Sequence, residues 1–214
     1  MVRRYGLTAT ALVVGAVLLS ACSNSTVTGV ANTPSAAPSD PSSSSNAAVP
    51  HSGAPKVQNP LPAKVLGGSP CDTAFTAAQL THFLGPTTPP KATTDQLGTA
   101  CLWQNEAGNG SGLSVGYQTK VHDGISLAYQ TVEPTASRWV VLDSVQGYPA
   151  IGYVSQHVDP SAKDNCVIVV GISDELAYSI SLGLSDGAIA QHKDACLSGR
   201  DVADAMMTNM KARA

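Results

Sequence analysis

Charged side chains are scarce in this sequence. Asp, Glu, Lys and Arg make up 13% of its 214 residues, about half the usual share of a soluble domain. Twelve basic residues face fifteen acidic ones, for a formal net charge of −3. No Lys/Arg cluster stands out, so the chain lacks the phosphate-neutralising surface that nucleic-acid binding requires. It equally lacks the charge for docking on anionic headgroups. Aromatic residues are few, at 5%. Trp103, Trp139, Tyr117, Tyr148 and Tyr153 are the candidate contact residues, and strands that alternate in polarity more often bury such rings. The longest apolar run, residues 7–19, falls short of the ~20 residues that span a bilayer. Cys-x-x-Cys pairs are absent, and His157/Asp159 and His192/Asp194 are isolated pairs near turns, so no metal site is expected. Met206, Met207 and Met210 read as core filler on a helix. No glycine loop follows a strand and opens a helix to hold a phosphate. These absences leave no cofactor and no catalytic residue to nominate.

What is present starts at the N-terminus. Arg3 and Arg4 precede the apolar run, which ends in Leu19-Ser20-Ala21-Cys22. The length and flanks fit an export signal over residues 1–21. The final tetrapeptide resembles the lipobox of bacterial lipoproteins, which implies that Cys22 becomes the diacylated new N-terminus. Two acyl chains anchor stably where one does not. The expected address is the outer face of the cytoplasmic membrane, with the membrane as partner through the lipid on Cys22. Cleavage removes two of the basic residues and none of the acidic ones, leaving a net charge of about −5.

Residues 22–58 carry Ser, Thr, Ala, Pro and Gly with almost no large apolar side chain. Such a segment cannot bury enough surface to offset its ordering entropy and reads as a disordered tether, with His51 solvated in it. As a flexible coil its r.m.s. span would be about 35 Å. Residues 59–214 suit a single globular extracytoplasmic domain.

Within that domain, Thr76-Ala77-Ala78-Gln79 has the form of a capping box, with Leu80, Phe83 and Leu84 on one face and Gly85-Pro86 as the stop. Residues 99–106 and 112–119 alternate as strands around Gly108-Asn109-Gly110. A short helix is expected over 123–133. Strand-like runs follow at 138–143, 150–156, 166–172 and 177–184, with Gly147-Tyr148-Pro149 as one of the turns. Val202, Met206 and Met210 mark an amphipathic final helix over 198–213. The order defines an α+β domain, an antiparallel sheet packed against helices.

One pentapeptide invites a catalytic reading: Gly112-Leu113-Ser114-Val115-Gly116 matches the G-x-S-x-G of serine hydrolases. A nucleophile elbow needs a strand that turns sharply into a helix. Leu113, Val115 and Tyr117 instead alternate with Ser114 and Gly116, which puts the serine inside a strand. His122, His157 and His192 are available as bases, and no spacing selects one of them.

With Cys22 assigned to lipid, Cys71, Cys101, Cys166 and Cys196 remain, an even number in an exported domain and hence a disulfide framework. Three connectivities are open, and order along the chain favours the sequential one. The series "SPCDTAFTAAQLTHFLG", "CLW", "GYPA" and "DAC" around these cysteines resembles the actinobacterial lipoproteins catalogued as domain of unknown function 3558, over residues 59–210. The resemblance implies a cell-envelope location and sequential disulfides, and it carries no catalytic residue. The order of elements is also similar to the Mog1/PsbP type of α/β/α domain, whose members are mostly binding or assembly modules. The expected function is a non-enzymatic binding, sensing or accessory domain for an envelope protein or a hydrophobic ligand. A carrier of hydrophobic envelope molecules is the alternative, and a small hydrolase a more distant one.

Overall fold

The computed structural model describes residues 48–214. The expected export signal over residues 1–21, Cys22 and most of the expected tether lie outside the described residues. Two short helices, α1 (Pro70–Thr73) and α2 (Ala77–Leu84), precede the strands β1 (Lys91–Thr94), β2 (Gly98–Gln104) and β3 (Gly112–Gln118). The helix α3 (Ser126–Thr131) leads to β4 (Arg138–Val145), β5 (Tyr148–Val154), β6 (Asn165–Gly171) and β7 (Ala177–Gly183). Then come α4 (Asp186–Ala190) and the long α5 (Ala195–Lys211).

The strands form one antiparallel seven-stranded sheet in the order β1-β2-β3-β7-β6-β5-β4. It is two meanders joined where β3 pairs with β7, Val115 opposite Ile180 and Tyr117 opposite Tyr178. The period-two alternation sorts side chains between the faces. One face sends Cys101, Trp103, Val115, Tyr117, Ile168 and Ile180 into a core closed by Val202, Met206, Met207 and Met210 of α5. The other face holds a smaller cluster, in which Ile125 and Ala128 cover Ile151, Val169 and Ala177.

Local chemistry fixes the elements. Thr76 and Gln79 form the expected reciprocal capping box, and Gly85 ends α2 with φ 77°. Asp194 caps α5 by accepting from the Cys196 N–H at 2.9 Å. Gly199 lets α5 approach the sheet: a Cβ there would sit 2.1 Å from Ile168 Cδ1. The disulfides are Cys71–Cys101 and Cys166–Cys196, the sequential pairs. Each bridges a helix on the α5 side to the strand below it, and Gly152 leaves room beneath the second.

Three local expectations differ from the structure. Val145 pairs with Tyr148, so the β4–β5 turn is Gln146-Gly147, both at positive φ, and Tyr148 and Pro149 belong to β5. This is the two-residue hairpin geometry that matches strand twist. Gln146 is held there by its side chain, which donates to Asp204 O at 2.9 Å and Thr208 Oγ1 at 2.8 Å. Secondly, β1 and α4 have no counterpart in the sequence pattern. Thirdly, the end of the tether is part of the domain. Val57 is buried and its N–H donates to Asp174 Oδ1 at 2.8 Å, while the His51 N–H donates to Ser126 Oγ at 3.1 Å. His51 is thus docked beside α3 rather than solvated, with Nε2 at 3.7 Å from Asp123.

Candidate functional site

The α5 side of the sheet is filled. Trp103 and Tyr117, two of the candidate contact residues, are fully buried there, and Tyr148 nearly so. Trp139 and Tyr153 lie on the opposite face, paired across β4 and β5. Trp139 meets the Tyr129 ring of α3 edge-on at 5.1 Å. Its indole Nε1 is buried with no hydrogen-bond partner among the described residues.

On this second face α3 lies across only part of the sheet and leaves a cleft of about 220 Å³ at its side. Leu127 and Val132 from the helix region and Leu97 and Val169 from the sheet side supply aliphatic walls. The Tyr153 ring closes one side, and Gln118, the last residue of β3, lines the cleft with only 7% of its surface exposed. No charged residue lines it. Burial raises the Tyr153 phenol above its ordinary range, and burial, then the nearby Glu133, does the same for Tyr129. Both stay neutral at physiological pH.

Next to the cleft, the same face of β3 and β7 carries Ser114, Gly116, Ser179 and Ser181 in register, a floor of small side chains. Ser114 stands mid-strand between Leu102 and Ser181. The nearest following helix, α3, starts only at Ser126. The strained strand-to-helix turn of a nucleophile elbow is therefore not what surrounds Ser114. The other singled-out polar pairs have structural partners. Asp159 accepts from the Ser161 N–H and hydroxyl at 2.8 and 2.7 Å, which lowers its pKa. Asp194 caps α5, and among the described residues no three His, Cys, Asp or Glu side chains gather to hold a metal ion.

Two larger depressions lie at the far end of β7. One of about 390 Å³ has Phe83, Leu182, Leu184 and Val202 in its floor, with His82 and Lys193 among its polar lining. Another of about 460 Å³ is bordered by Lys163, Asp164, His192 and Lys193. Ala188 and Ile189 of α4 contribute to them, and that helix buries none of its residues. They are mixed in charge and partly walled by this short helix.

The sequence pattern missed Gln118, Leu127 and Val132 as site residues. Gln118 continues the polar alternation Ser114, Gly116, Gln118 and so reads as solvent-facing. Only the crossing of α3 over that face turns it inward. The available signal was a short helix as the next element after β3, which must pack on one face of the sheet.

A disulfide-stapled α+β domain whose sheet is covered on one face apart from the exposed edge strand β1, and half covered on the other, defines the structural class. The chain belongs to the family described as protein of unknown function DUF3558, whose model matches residues 17–209. No curated protein and no solved structure gives a significant match. Among the described residues no helix is long and apolar enough to cross a membrane.

Proposed function

We propose that this chain is a cell-envelope lipoprotein, anchored through Cys22 on the outer face of the cytoplasmic membrane, whose domain is a non-enzymatic binding or sensing module. The observation that carries the reading is the pair of disulfides, Cys71–Cys101 and Cys166–Cys196, in a chain that opens with basic residues, an apolar run and Leu-Ser-Ala-Cys22. Disulfides of this kind persist in oxidising compartments and are rare in the cytosol. The family match begins at residue 17, so the matched stretch includes Leu-Ser-Ala-Cys22. The binding role draws support from the half-open second face and its uncharged cleft. The carrier alternative has less room: Met206, Met207, Tyr117 and Tyr178 fill the space between sheet and α5, where a long hydrophobic ligand would lie.

The test is the lipid itself. Metabolic labelling with an alkyne fatty acid should tag the wild-type chain, and mass spectrometry should find diacylglycerol on the peptide starting at Cys22. Cys22→Ala should abolish both and release the protein from membranes or leave it unprocessed, with an unchanged melting temperature. An N-terminal peptide from membrane-extracted wild type that carries no lipid mass would sink the anchor reading.

A further inference from the structure

We infer that the cleft beside α3 is a ligand site for an uncharged aliphatic group ended by one hydrogen-bonding head, such as a short alkyl amide, with Gln118 as the residue that reads the head. The inference rests on the binding-module reading and names its site and ligand class. Three polar side chains are buried in the described domain: Asn105, Gln118 and Ser126. Asn105 donates to Leu84 O and accepts from the Ala107 N–H. Ser126 accepts from the His51 N–H. Gln118 alone of the three has no side-chain partner among the described residues, and it lines the cleft.

Among the described residues, the sealed side-chain atoms without a partner are Trp139 Nε1 and Arg200 Nε; the Gln118 carboxamide is not one of them, so it keeps accessible surface and is open to a ligand in the cleft. A carboxamide offers two donors and an acceptor. An amide head can meet both functions at once. The walls decide the rest of the ligand. Leu97, Leu127, Val132 and Val169 are aliphatic, and about 220 Å³ admits a short chain or a single small ring. For scale, an apolar cavity of about 150 Å³ holds benzene. Charge is excluded on both sides. A cation or a carboxylate would enter an uncharged lining without a counter-ion, which costs far more than burying an amide that is hydrogen-bonded. Glu133, next to Val132, adds repulsion for anions.

The experiment is photolabelling of the full-length chain in its own membranes with a diazirine-bearing hexanamide, followed by peptide mapping. Labels should fall on the segments holding Leu97, Gln118, Leu127 to Val132, and Val169. Unlabelled hexanamide should compete, and hexanoate and hexylammonium should not. Gln118→Met keeps the volume and removes the amide; it should raise the hexanamide concentration needed for competition about tenfold. Val132→Asp, at a half-buried position outside both core clusters, should abolish labelling, and so covers the case in which the Gln118 variant fails to fold. Labels that resist competition, or that map to Phe83 and Val202, overturn the site. Equal competition by hexanoate overturns the uncharged head, and an unchanged Gln118→Met overturns the role of Gln118. These results are separable from the anchor: loss of lipid in Cys22→Ala leaves labelling of the cleft as it was, and an unlabelled cleft leaves the lipid on Cys22.

Discussion

Arg138 donates to Asp194 at 2.6 Å, joining the first residue of the outer strand β4 to the cap of α5. The same carboxylate accepts from the Cys196 N–H, so one side chain holds the strand, the helix start and the neighbourhood of the Cys166–Cys196 bridge. Burial alone would raise the Asp194 pKa. The hydrogen bond from Arg138, the backbone N–H groups of Cys196 and Leu197 and the Arg138 charge outweigh it and hold the carboxyl below its ordinary 3.8.

A carboxyl depressed in the folded state stabilises fully above its unfolded pKa, and that contribution fades as pH falls through the lower folded value. Asp194→Asn keeps a capping oxygen and removes the charge, and should cost about 1 kcal/mol near neutrality. Asp194→Ala removes the cap as well and should cost about 2 to 3 kcal/mol. Thermal melts from neutral pH downward should show the wild-type and Asn curves converging only below about pH 3.8, the unfolded value. A constant gap down to lower pH would mean that the ion pair contributes nothing.

The disulfides close loops with a sequence separation of 30 residues each. The chain-entropy model assigns about 3.5 kcal/mol to each loop, against the 5 to 15 kcal/mol or so of a whole domain. Reduction should lower the melting temperature sharply or unfold the protein. Cys101→Ala alone should reduce exported yield more than Cys71→Ala with Cys101→Ala, because the single variant leaves an odd thiol free to mispair during oxidation. Equal yields would remove mispairing from the account.

At Gly199, where α5 crosses the sheet, an added Cβ would meet Ile168 Cδ1 at 2.1 Å and Cγ1 at 2.9 Å. Gly199→Ala gains about 1 kcal/mol of helix propensity and meets an overpacking penalty of about 1 to 3 kcal/mol. The net effect should be destabilising in the wild type. Ile168→Val removes Cδ1 but keeps Cγ1, 2.9 Å from that Cβ, so in its background the same change should cost less than in the wild type. A double-mutant cycle by urea denaturation reads this coupling, and simple additivity would contradict it.

Legibility in the sequence followed burial. Strands β2, β3 and β7 and helix α5 each bury one side, β5 and β6 are buried on both, and their apolar patterns marked them to within a few residues. The cap at Thr76 and the order of the cysteines were readable because both are local chemistry. Strand β1 has every residue exposed, and α4 buries none, so neither needs a periodic pattern. Residues 48–58 have a tether's composition and dock through backbone N–H groups and the apolar side chains of Ala54 and Val57, which composition does not register. The cleft was illegible for a related reason: its polar residue acquires its role from the placement of α3 and from nothing in its own strand.

That docked N-terminal segment has a mechanical consequence. From His51 to Leu61 the chain is fastened by bonds spaced along its length, His51 to Ser126, Val57 to Asp174, and Leu61 to Ile172 O at 2.9 Å. A pull applied through the N-terminus would load them one after another, as a zip opens, rather than all together. Ten or so residues of slack would be released at low force before the sheet felt any tension. Further in, the Cys71–Cys101 link would pass the load directly from α1 to β2 and keep the 30-residue loop between them from extending. The entry segment is thus placed to yield ahead of the two disulfide-closed loops.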